Sequence, residues 1–410
     1  MRTSYFLHLF TAIATAALWL LAFLLVWTLH RQWWSIRSVR RLLWVAPAFI
    51  LLIIGLWALA SWMDWTALLW PLRFLAATSV IVSLAVVITL PLTGVTLTLE
   101  RFARWVSRKM RKRKGEDGSR TAIDAGRRSL LVTAAAAAPL TFGGAGLFGA
   151  VNSTSRVAFP QVEMTWANLP GELEGLRLLH LSDLHLGHAH DLKDLETIVA
   201  DASEQHADLV LITGDIADDV TMLPDALQAI ASLRPRLGAF VSLGNHEYYA
   251  GLAQVLRTLE RGPIPLLRDE GTAVRVGSAT IHLLGIDDPA RISRSVNPSN
   301  APLFLRQAID KAIDGGPAEG FRILMSHRPR GFDPAAELGI DLTLSGHTHG
   351  GIQLGFAGRS VLEPFLPEQY LWGHYRKGNS QLYTSAGVGH WFPFRLGCPM
   401  EAPVYTLRRP

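Results

Sequence analysis

The sequence predicts a layered α/β domain in its second half, preceded by an all-α transmembrane region. Two patterns indicate this division. Long apolar runs without acidic residues dominate residues 1–100, whereas short aliphatic runs alternate with amphipathic segments from residue 157 onward. Alternation of that kind is typical of layered sheets with flanking helices. At 410 residues the chain has room for about two or three ordinary domains.

Three apolar runs lie within the first hundred residues, at 5–28, 42–62 and 74–99. Each has about the 20 residues that a helix needs to cross the hydrocarbon core of a membrane, and none contains Asp or Glu. Tryptophans near the ends of the runs suit an interfacial aromatic belt: Trp27, Trp33, Trp34, Trp62, Trp65 and Trp70. We therefore predict three transmembrane helices within residues 1–100, with a buried bundle of a soluble protein as the alternative.

Basic residues concentrate in two clusters beside the apolar runs, in a chain of formal net charge +5. The clusters follow the first and the third run: Arg31, Arg37, Arg40 and Arg41, then Arg101, Arg104, Arg108, Lys109, Arg111, Lys112, Arg113 and Lys114. Loops rich in Lys and Arg stay in the cytoplasm, and an even number of crossings separates these two. We therefore predict a basic cytoplasmic loop at 101–128. Topology and anionic lipid explain the charge, so no nucleic-acid partner is expected.

A fourth apolar run covers residues 129–151 and follows the pair Arg127-Arg128. An arginine pair before a modestly apolar segment resembles a twin-arginine export signal, although Leu130 stands where Phe is common and no Lys follows directly. A fourth transmembrane helix with a positive cytoplasmic flank is the alternative. Either reading places the domain at 157–410 outside the cytoplasm. The single cysteine, Cys398, is predicted to be a buried apolar residue.

The second half of the chain reads as alternating strands and helices. Strands are predicted at residues 176–181, 209–213, 239–243, 280–286, 322–325 and 342–344. Helices are predicted at residues 192–205, 224–233, 254–261 and 304–313. In such sheets, functional groups gather in the crevice beyond the carboxyl ends of the strands.

Polar residues of metal-ligand type follow every predicted strand except 280–286. They are Asp183 and His185, Asp215 and Asp218, Asn245 and His246, His327, and His347 and His349. One such residue is common in a turn, but five strand ends in succession indicate a shared site. Carboxylates, imidazoles and one amide, without thiolates, suit Mn, Fe or Zn. Two ions would clamp an in-line displacement at phosphorus and lower the pKa of a bridging water, so that hydroxide forms near neutrality.

Together these segments resemble the calcineurin-like metallophosphoesterase superfamily. The resemblance is carried by Asp183-x-His185, Gly214-Asp215-x-x-Asp218, Gly244-Asn245-His246-Glu247, His327 and Gly346-His347-x-His349. It covers roughly residues 170–410, and the glycine-rich segments after residue 350 are similar to the membrane-associated bacterial branch. The resemblance implies a β-sandwich flanked by helices, the metallophosphoesterase fold, and two divalent metal ions as cofactors.

The resemblance also implies metal ligands. They are Asp183, His185 and His349 for one ion, Asn245, His327 and His347 for the other, and Asp215 as the bridge. His246 would protonate the leaving oxygen, and Asp218 would orient its imidazole. Two further residues are candidates for substrate binding: Arg395, through a bidentate contact with phosphate, and His188.

The leading hypothesis for function is a membrane-anchored phosphohydrolase that cleaves a phosphodiester or pyrophosphate, with a lipid-linked substrate, outside the cytoplasm of a bacterial inner or cell membrane. The aromatic segments 365–372 and 391–394 would belong to the core, or form an apolar rim that contacts lipid. The alternatives are an envelope phosphodiesterase for a soluble substrate and a non-catalytic membrane scaffold whose phosphoesterase domain is a relic.

Overall fold

A computed structural model describes residues 2–63, 65–114, 122–187, 190–291, 301–317, 319–366, 368–390 and 392–410. The chain divides into two compact units, Met1–Val151 and Asn152–Pro410. The first unit is helical. Its helices are α1 (Arg2–Thr28), α2 (Arg31–Trp34), α3 (Arg37–Trp62), α4 (Thr66–Lys114) and α5 (Ala122–Asn152), the last of which ends on the first residue of the second unit.

Three stretches of the first unit are long and apolar enough to cross a membrane: His8–Thr28, Arg37–Trp62 and Pro71–Val95. Many of their large apolar side chains are exposed, for example Leu52 and Trp44 in α3. A soluble bundle would bury such side chains, whereas lipid tails accept them. The three apolar helices of the sequence analysis are thereby confirmed.

The basic segment after the third apolar run differs from the expectation in one respect. A loop was predicted from residue 101, but α4 continues to Lys114. No Gly or Pro occurs between residues 95 and 114, and Leu, Arg and Lys are good helix formers. The basic residues of this segment therefore belong to the last turns of helix α4.

The second unit contains two larger sheets and a short hairpin. Its strands are β1 (Gln161–Thr165), β2 (Arg177–Leu181), β3 (Leu209–Thr213), β4 (Ala239–Ser242), β5 (Glu270–Val276), β6 (Ala279–Gly285), β7 (Phe321–Met325), β8 (Leu342–Ser345), β9 (Gly355–Phe356), β10 (Arg359–Ser360), β11 (Gly373–Lys377), β12 (Ser380–Thr384) and β13 (Val404–Arg408). Its further helices are α6 (Leu192–Ser203), α7 (Leu223–Ala231), α8 (Asn245–Arg261), α9 (Ala301–Asp314), α10 (Phe332–Glu337) and α11 (His349–Gln353).

The strand order is β1-β13-β2-β3-β4 in the first sheet and β11-β12-β8-β7-β6-β5 in the second, while β9 and β10 form the hairpin. Strands β2, β3 and β4 are parallel neighbours, with Leu178 opposite Leu209, and β6, β7 and β8 are parallel as well. Each set therefore delivers its carboxyl ends to one edge.

The two sheets face each other across an apolar layer, which includes Leu178, Leu211, Leu283 and Ile323. Helices α6, α7 and α8 cover the outer face of the first sheet, and α9 and α10 cover that of the second. The β-sandwich flanked by helices is confirmed. Since both faces of the central strands are covered, β3 is buried at every position.

Candidate metal centre

The polar strand ends converge at one edge of the sandwich. The loop after β2 carries Asp183 and His185, and the loop after β3 carries Asp215. Two backbone bonds join these loops, since the Asp183 N–H donates to the Gly214 carbonyl at 3.1 Å and the His185 N–H donates to the Asp215 carbonyl at 3.0 Å. The buried donors of this centre are Asp183, His185, Asp215, Asn245, His327 and His349.

The first donor group consists of Asp183, His185 and His349, whose ligand atoms lie within 4.8 Å of one another. The two Nε2 atoms of His185 and His349 are 3.2 Å apart, and the Asp183 Oδ1 atom is 3.5 Å from that of His349. His185 Nδ1 contacts the Asp218 Oδ2 at 3.1 Å. Because that carboxylate accepts the Nδ1 proton, the lone pair of His185 Nε2 is directed at the group, as a metal ligand requires.

The second donor group consists of Asp215, His327 and His347. His327 Nδ1 lies 2.7 Å from the Thr213 carbonyl, so this nitrogen donates its proton there and Nε2 is free to bind a cation. The His327 Nε2 atom is 3.3 Å from Asp215 Oδ2 and 3.2 Å from Asn245 Oδ1. The four side chains predicted for the second ion are therefore neighbours.

One carboxylate oxygen lies between the two groups. Asp215 Oδ2 is 3.3 Å from His327 Nε2 of the second group and 3.8 Å from His185 Nε2 of the first. The other oxygen, Oδ1, accepts the N–H of His246 at 2.8 Å, which fixes the rotation of the carboxylate. The donor set, the tautomers of His185 and His327 and this central oxygen fit two divalent cations that share Asp215.

Comparison with known proteins supports the same conclusion. The family model of the calcineurin-like phosphoesterases matches residues 176–351. An uncharacterized metallophosphoesterase of Aquifex aeolicus (strain VF5) is 30% identical over 235 residues, which cover 57% of this chain and 85% of that protein. This chain belongs to the calcineurin-like metallophosphoesterase family. The family is dimetal-dependent, in agreement with the two donor groups.

Two other relatives add detail. A zebrafish (Danio rerio) transmembrane protein with metallophosphoesterase domain is 32% identical over 273 residues, 64% of this chain and 60% of that protein. The phosphodiesterase YaeI of Escherichia coli (strain K12) is 27% identical over 243 residues, 56% of this chain and 82% of that protein. The chain thus spans less than two thirds of the length of its zebrafish relative.

The backbone of this metallophosphoesterase is left-handed at five of the predicted ligands. Their φ angles are +55° at Asp183, +50° at His185, +52° at Asp215, +68° at His347 and +47° at His349. Side chains with a Cβ rarely adopt this region, although Asp and His do so more readily than most. The conformation turns each side chain back from its strand end toward the shared centre, at a cost of order 1–3 kcal/mol per residue.

Glu247 is a part of the metallophosphoesterase centre to which the sequence analysis gave no role. Its buried carboxylate accepts the N–H groups of Gly244 at 2.7 Å, Asp215 at 3.0 Å and Ile216 at 2.8 Å. Burial, and then the charge of Asp215, raise the pKa of this carboxyl. By these bonds Glu247 ties the first turn of α8 to the loop after β3.

His246 and Asp218 lie beside the two donor groups. His246 Nδ1 is hydrogen-bonded to Asp218 Oδ1, and Asp218 accepts from His185 with its other oxygen. Burial lowers the pKa of His246, but the Asp218 hydrogen bond and the Asp215 charge outweigh it and raise the pKa to about 9. The Asp218 hydrogen bond thus favours the protonated imidazole, the form that can give a proton as a general acid.

Arg328 is the other residue that the sequence analysis missed. Its guanidinium binds both oxygens of Asp288, with Nε at 2.7 Å and Nη2 at 3.2 Å, while Nη1 is 3.0 Å from His347 Nε2. The side chain is partly exposed, so one edge of a fixed cation faces the mouth of the metal centre. Two signals were present: a basic residue directly after His327, and the pair Asp287-Asp288 directly after strand 280–286, where the prediction of ligand-type residues overlooked it.

The two predicted substrate-binding residues have different outcomes. Arg395 is 0% exposed. Its guanidinium donates to the carbonyls of Pro399 and Ala386 at 2.9 Å and of Gly389 at 2.6 Å. These donors are therefore not available to a phosphate, and the prediction that Arg395 binds substrate is wrong. Arg395 instead joins the loop before it to the loop after it through hydrogen bonds to their carbonyls. His188 lies outside the described residues.

Proposed function

We propose that this chain is a membrane-anchored dimetal phosphohydrolase that cleaves a phosphodiester or a pyrophosphate, with a lipid-linked substrate as our leading choice. The observation that carries the proposal is the position of Asp215 Oδ2 between two complete donor groups. The similarity to the phosphodiesterase YaeI supports the reaction class, and the similarity to a zebrafish transmembrane protein with metallophosphoesterase domain supports the anchoring.

In this mechanism, Asp183, His185 and His349 would hold one ion, Asn245, His327 and His347 would hold the other, and Asp215 would be a ligand of both. Bound divalent ions would activate the attacking water and neutralise charge on the phosphate. The chain supplies the remaining parts. His246 gives its proton to the leaving oxygen, Asp218 holds that imidazole in place, and Arg328, fixed by Asp288, binds a non-bridging oxygen.

The substrate class is tested on the purified full chain in detergent with added Mn. We expect cleavage of a chromogenic phosphodiester, and release of phosphate groups from an extract of membrane lipids at a higher kcat/KM than from water-soluble diesters. A preference for cyclic nucleotides or glycerophosphodiesters would contradict the lipid-linked substrate and favour an envelope phosphodiesterase. Failure on every phosphoester with metal bound would contradict the hydrolase itself.

We further propose a multi-pass topology in a bacterial inner or cell membrane. Residues 1–100 would cross three times, 101–128 would be cytoplasmic, 129–151 would cross a fourth time or act as an export signal, and 157–410 would be extracytoplasmic. The support is the charge of the two basic clusters, since Lys and Arg near a span remain in the cytoplasm.

A reporter fused after Pro410 tests this orientation. We expect alkaline phosphatase, which is active only outside the cytoplasm, to be active in this fusion, and a green fluorescent protein that matures only inside to be dark. A fusion after Lys114, within the segment predicted to be cytoplasmic, is the matched control and should give the opposite pattern. Cytoplasmic activity at both positions would place the catalytic domain inside the cell.

A further inference from the structure

A segment of exposed aromatic residues follows the metal-centre helix α11 directly. Within residues 354–366, Phe356 is 78% exposed and Phe365 is 80% exposed. They are the most exposed large apolar side chains in the described part of the second unit, and Val361 between them is exposed as well. Side chains of this size are normally covered by a partner, because leaving them in water forfeits about 1.5–3 kcal/mol each.

The backbone beneath these side chains is fixed, so their exposure is built into the fold. Gly355 N–H donates to the Leu396 carbonyl at 2.9 Å, and Val361 N–H donates to the Leu354 carbonyl at 3.2 Å. Between the aromatic positions, the Arg359 guanidinium stacks 4.0 Å above the ring of Tyr375. Hydrogen bonds and this contact therefore hold the segment that carries the two phenylalanines.

The chain enters the second unit beside this segment. Asn152, the last residue of α5, donates from its amide to the Arg395 carbonyl at 3.3 Å. The next residue, Leu396, donates to the Gln353 carbonyl at 2.9 Å and accepts from Gly355, one residue before Phe356. The first residue of the second unit is thus held beside the backbone at the base of the aromatic segment.

The charge of the segment suits a lipid surface. Arg359 at the hairpin tip is exposed, and the one acidic residue, Glu363, accepts the hydroxyl proton of Tyr375 at 2.8 Å. Aromatic side chains with an adjacent arginine match the boundary between lipid headgroups and acyl chains, where rings enter the apolar region and guanidinium meets phosphate.

We propose that Phe356 and Phe365 insert into the surface of the bilayer that anchors the chain. This inference rests on the membrane anchoring in the proposed function, but it requires neither hydrolysis nor a lipid-linked substrate. The proposed partner of the segment is lipid. Insertion would also orient the metal centre toward the bilayer, since α11 with His349 is continuous with the inserted segment. The phosphate cleaved would then lie close to the headgroup layer.

Spin labels on the full chain in lipid nanodiscs test the proposal. Cys398 is the only cysteine and is buried, so single labels can be placed at Phe356→Cys and Phe365→Cys. Leu303→Cys in α9 is the matched control, because Leu303 is an apolar side chain that is 61% exposed. We expect labels at 356 and 365 to lose access to a water-soluble nickel chelate and gain access to oxygen, whereas the label at 303 keeps access to nickel.

The possible outcomes distinguish insertion of the two phenylalanines from anchoring of the chain in the membrane. A label at Leu52→Cys in α3 reports the span independently. Oxygen access at 52 together with nickel access at 356 and 365 equal to that at 303 would overturn the insertion and leave the anchoring intact. Nickel access at all four positions would contradict the anchoring itself. Loss of nickel access with dipolar broadening between labels of two chains would assign the segment to a second copy and overturn the bilayer contact.

Discussion

Asp215→Asn is expected to reduce phosphodiester turnover by at least about 10²–10³-fold, the range seen when one preorganised electrostatic group is lost. The replacement keeps the shape of the side chain but removes the charge from Oδ2, the oxygen that lies within 3.8 Å of both donor groups. Both ions lose a ligand at once, so the bound metal should fall from about two ions per chain. Turnover with saturating Mn and metal content by mass spectrometry of the purified protein measure the two effects.

The control for this variant is Asp341→Asn. Asp341 accepts the N–H of Arg322 at 2.9 Å and precedes β8, so it lies at the end of that strand opposite to His347. This change should leave metal content and turnover close to those of the unmodified chain. Turnover of Asp215→Asn equal to that of Asp341→Asn, with both proteins folded by circular dichroism, would rule out the shared carboxylate and with it the dimetal mechanism.

His246→Gln is expected to slow hydrolysis by a factor that depends on the leaving group of the substrate. For an alkyl phosphodiester, whose leaving oxygen needs a proton, the loss should be about 10²–10⁴-fold, the usual contribution of a general acid. For a p-nitrophenyl diester the loss should be far smaller, because that phenolate leaves without protonation. The prediction follows from the raised pKa of His246, the Asp218 hydrogen bond and the partial exposure of the ring.

Comparing kcat for both substrates in both proteins measures this difference. His206→Gln is the control, since His206 is exposed and precedes β3 at the end away from the metal centre. Equal losses for the alkyl and the nitrophenyl substrate would contradict proton donation and assign His246 to electrostatic support. Unchanged metal content in His246→Gln is part of the expectation, because its imidazole was not predicted to be a ligand.

The central elements of the fold were predictable because their sequence signals are local. The six predicted strands and four predicted helices all occur, and their ends are shifted by a few residues except at the start of α8. The strands that were missed include β5 and β11, which lie at the sheet edges and have several exposed positions, so their sequences lack a continuous apolar run. Helix α8 begins at Asn245 rather than near 254, since Gly251 at φ +117° interrupts its helical period.

The residues of the candidate metal centre also divide into those that the sequence predicts and those that it does not. The seven predicted metal ligands come together because each follows a strand, and parallel neighbours share an edge. Their roles remain predictions. The sequence could not show which of Arg328 and Arg395 lies at the metal centre, because both are arginines in loops and only their packing in the fold distinguishes them. Asp288 holds Arg328 beside the metal centre, whereas backbone carbonyls surround the guanidinium of Arg395.

The left-handed backbone at five ligands also bears on the stability of the second unit. Because such a φ angle costs about 1 kcal/mol or more at a residue with a Cβ, the five positions together oppose folding. They are Asp183, His185, Asp215, His347 and His349. The buried apolar clusters on the two sheets must offset this cost, so the packing of the sandwich and the geometry of its donor groups are energetically linked.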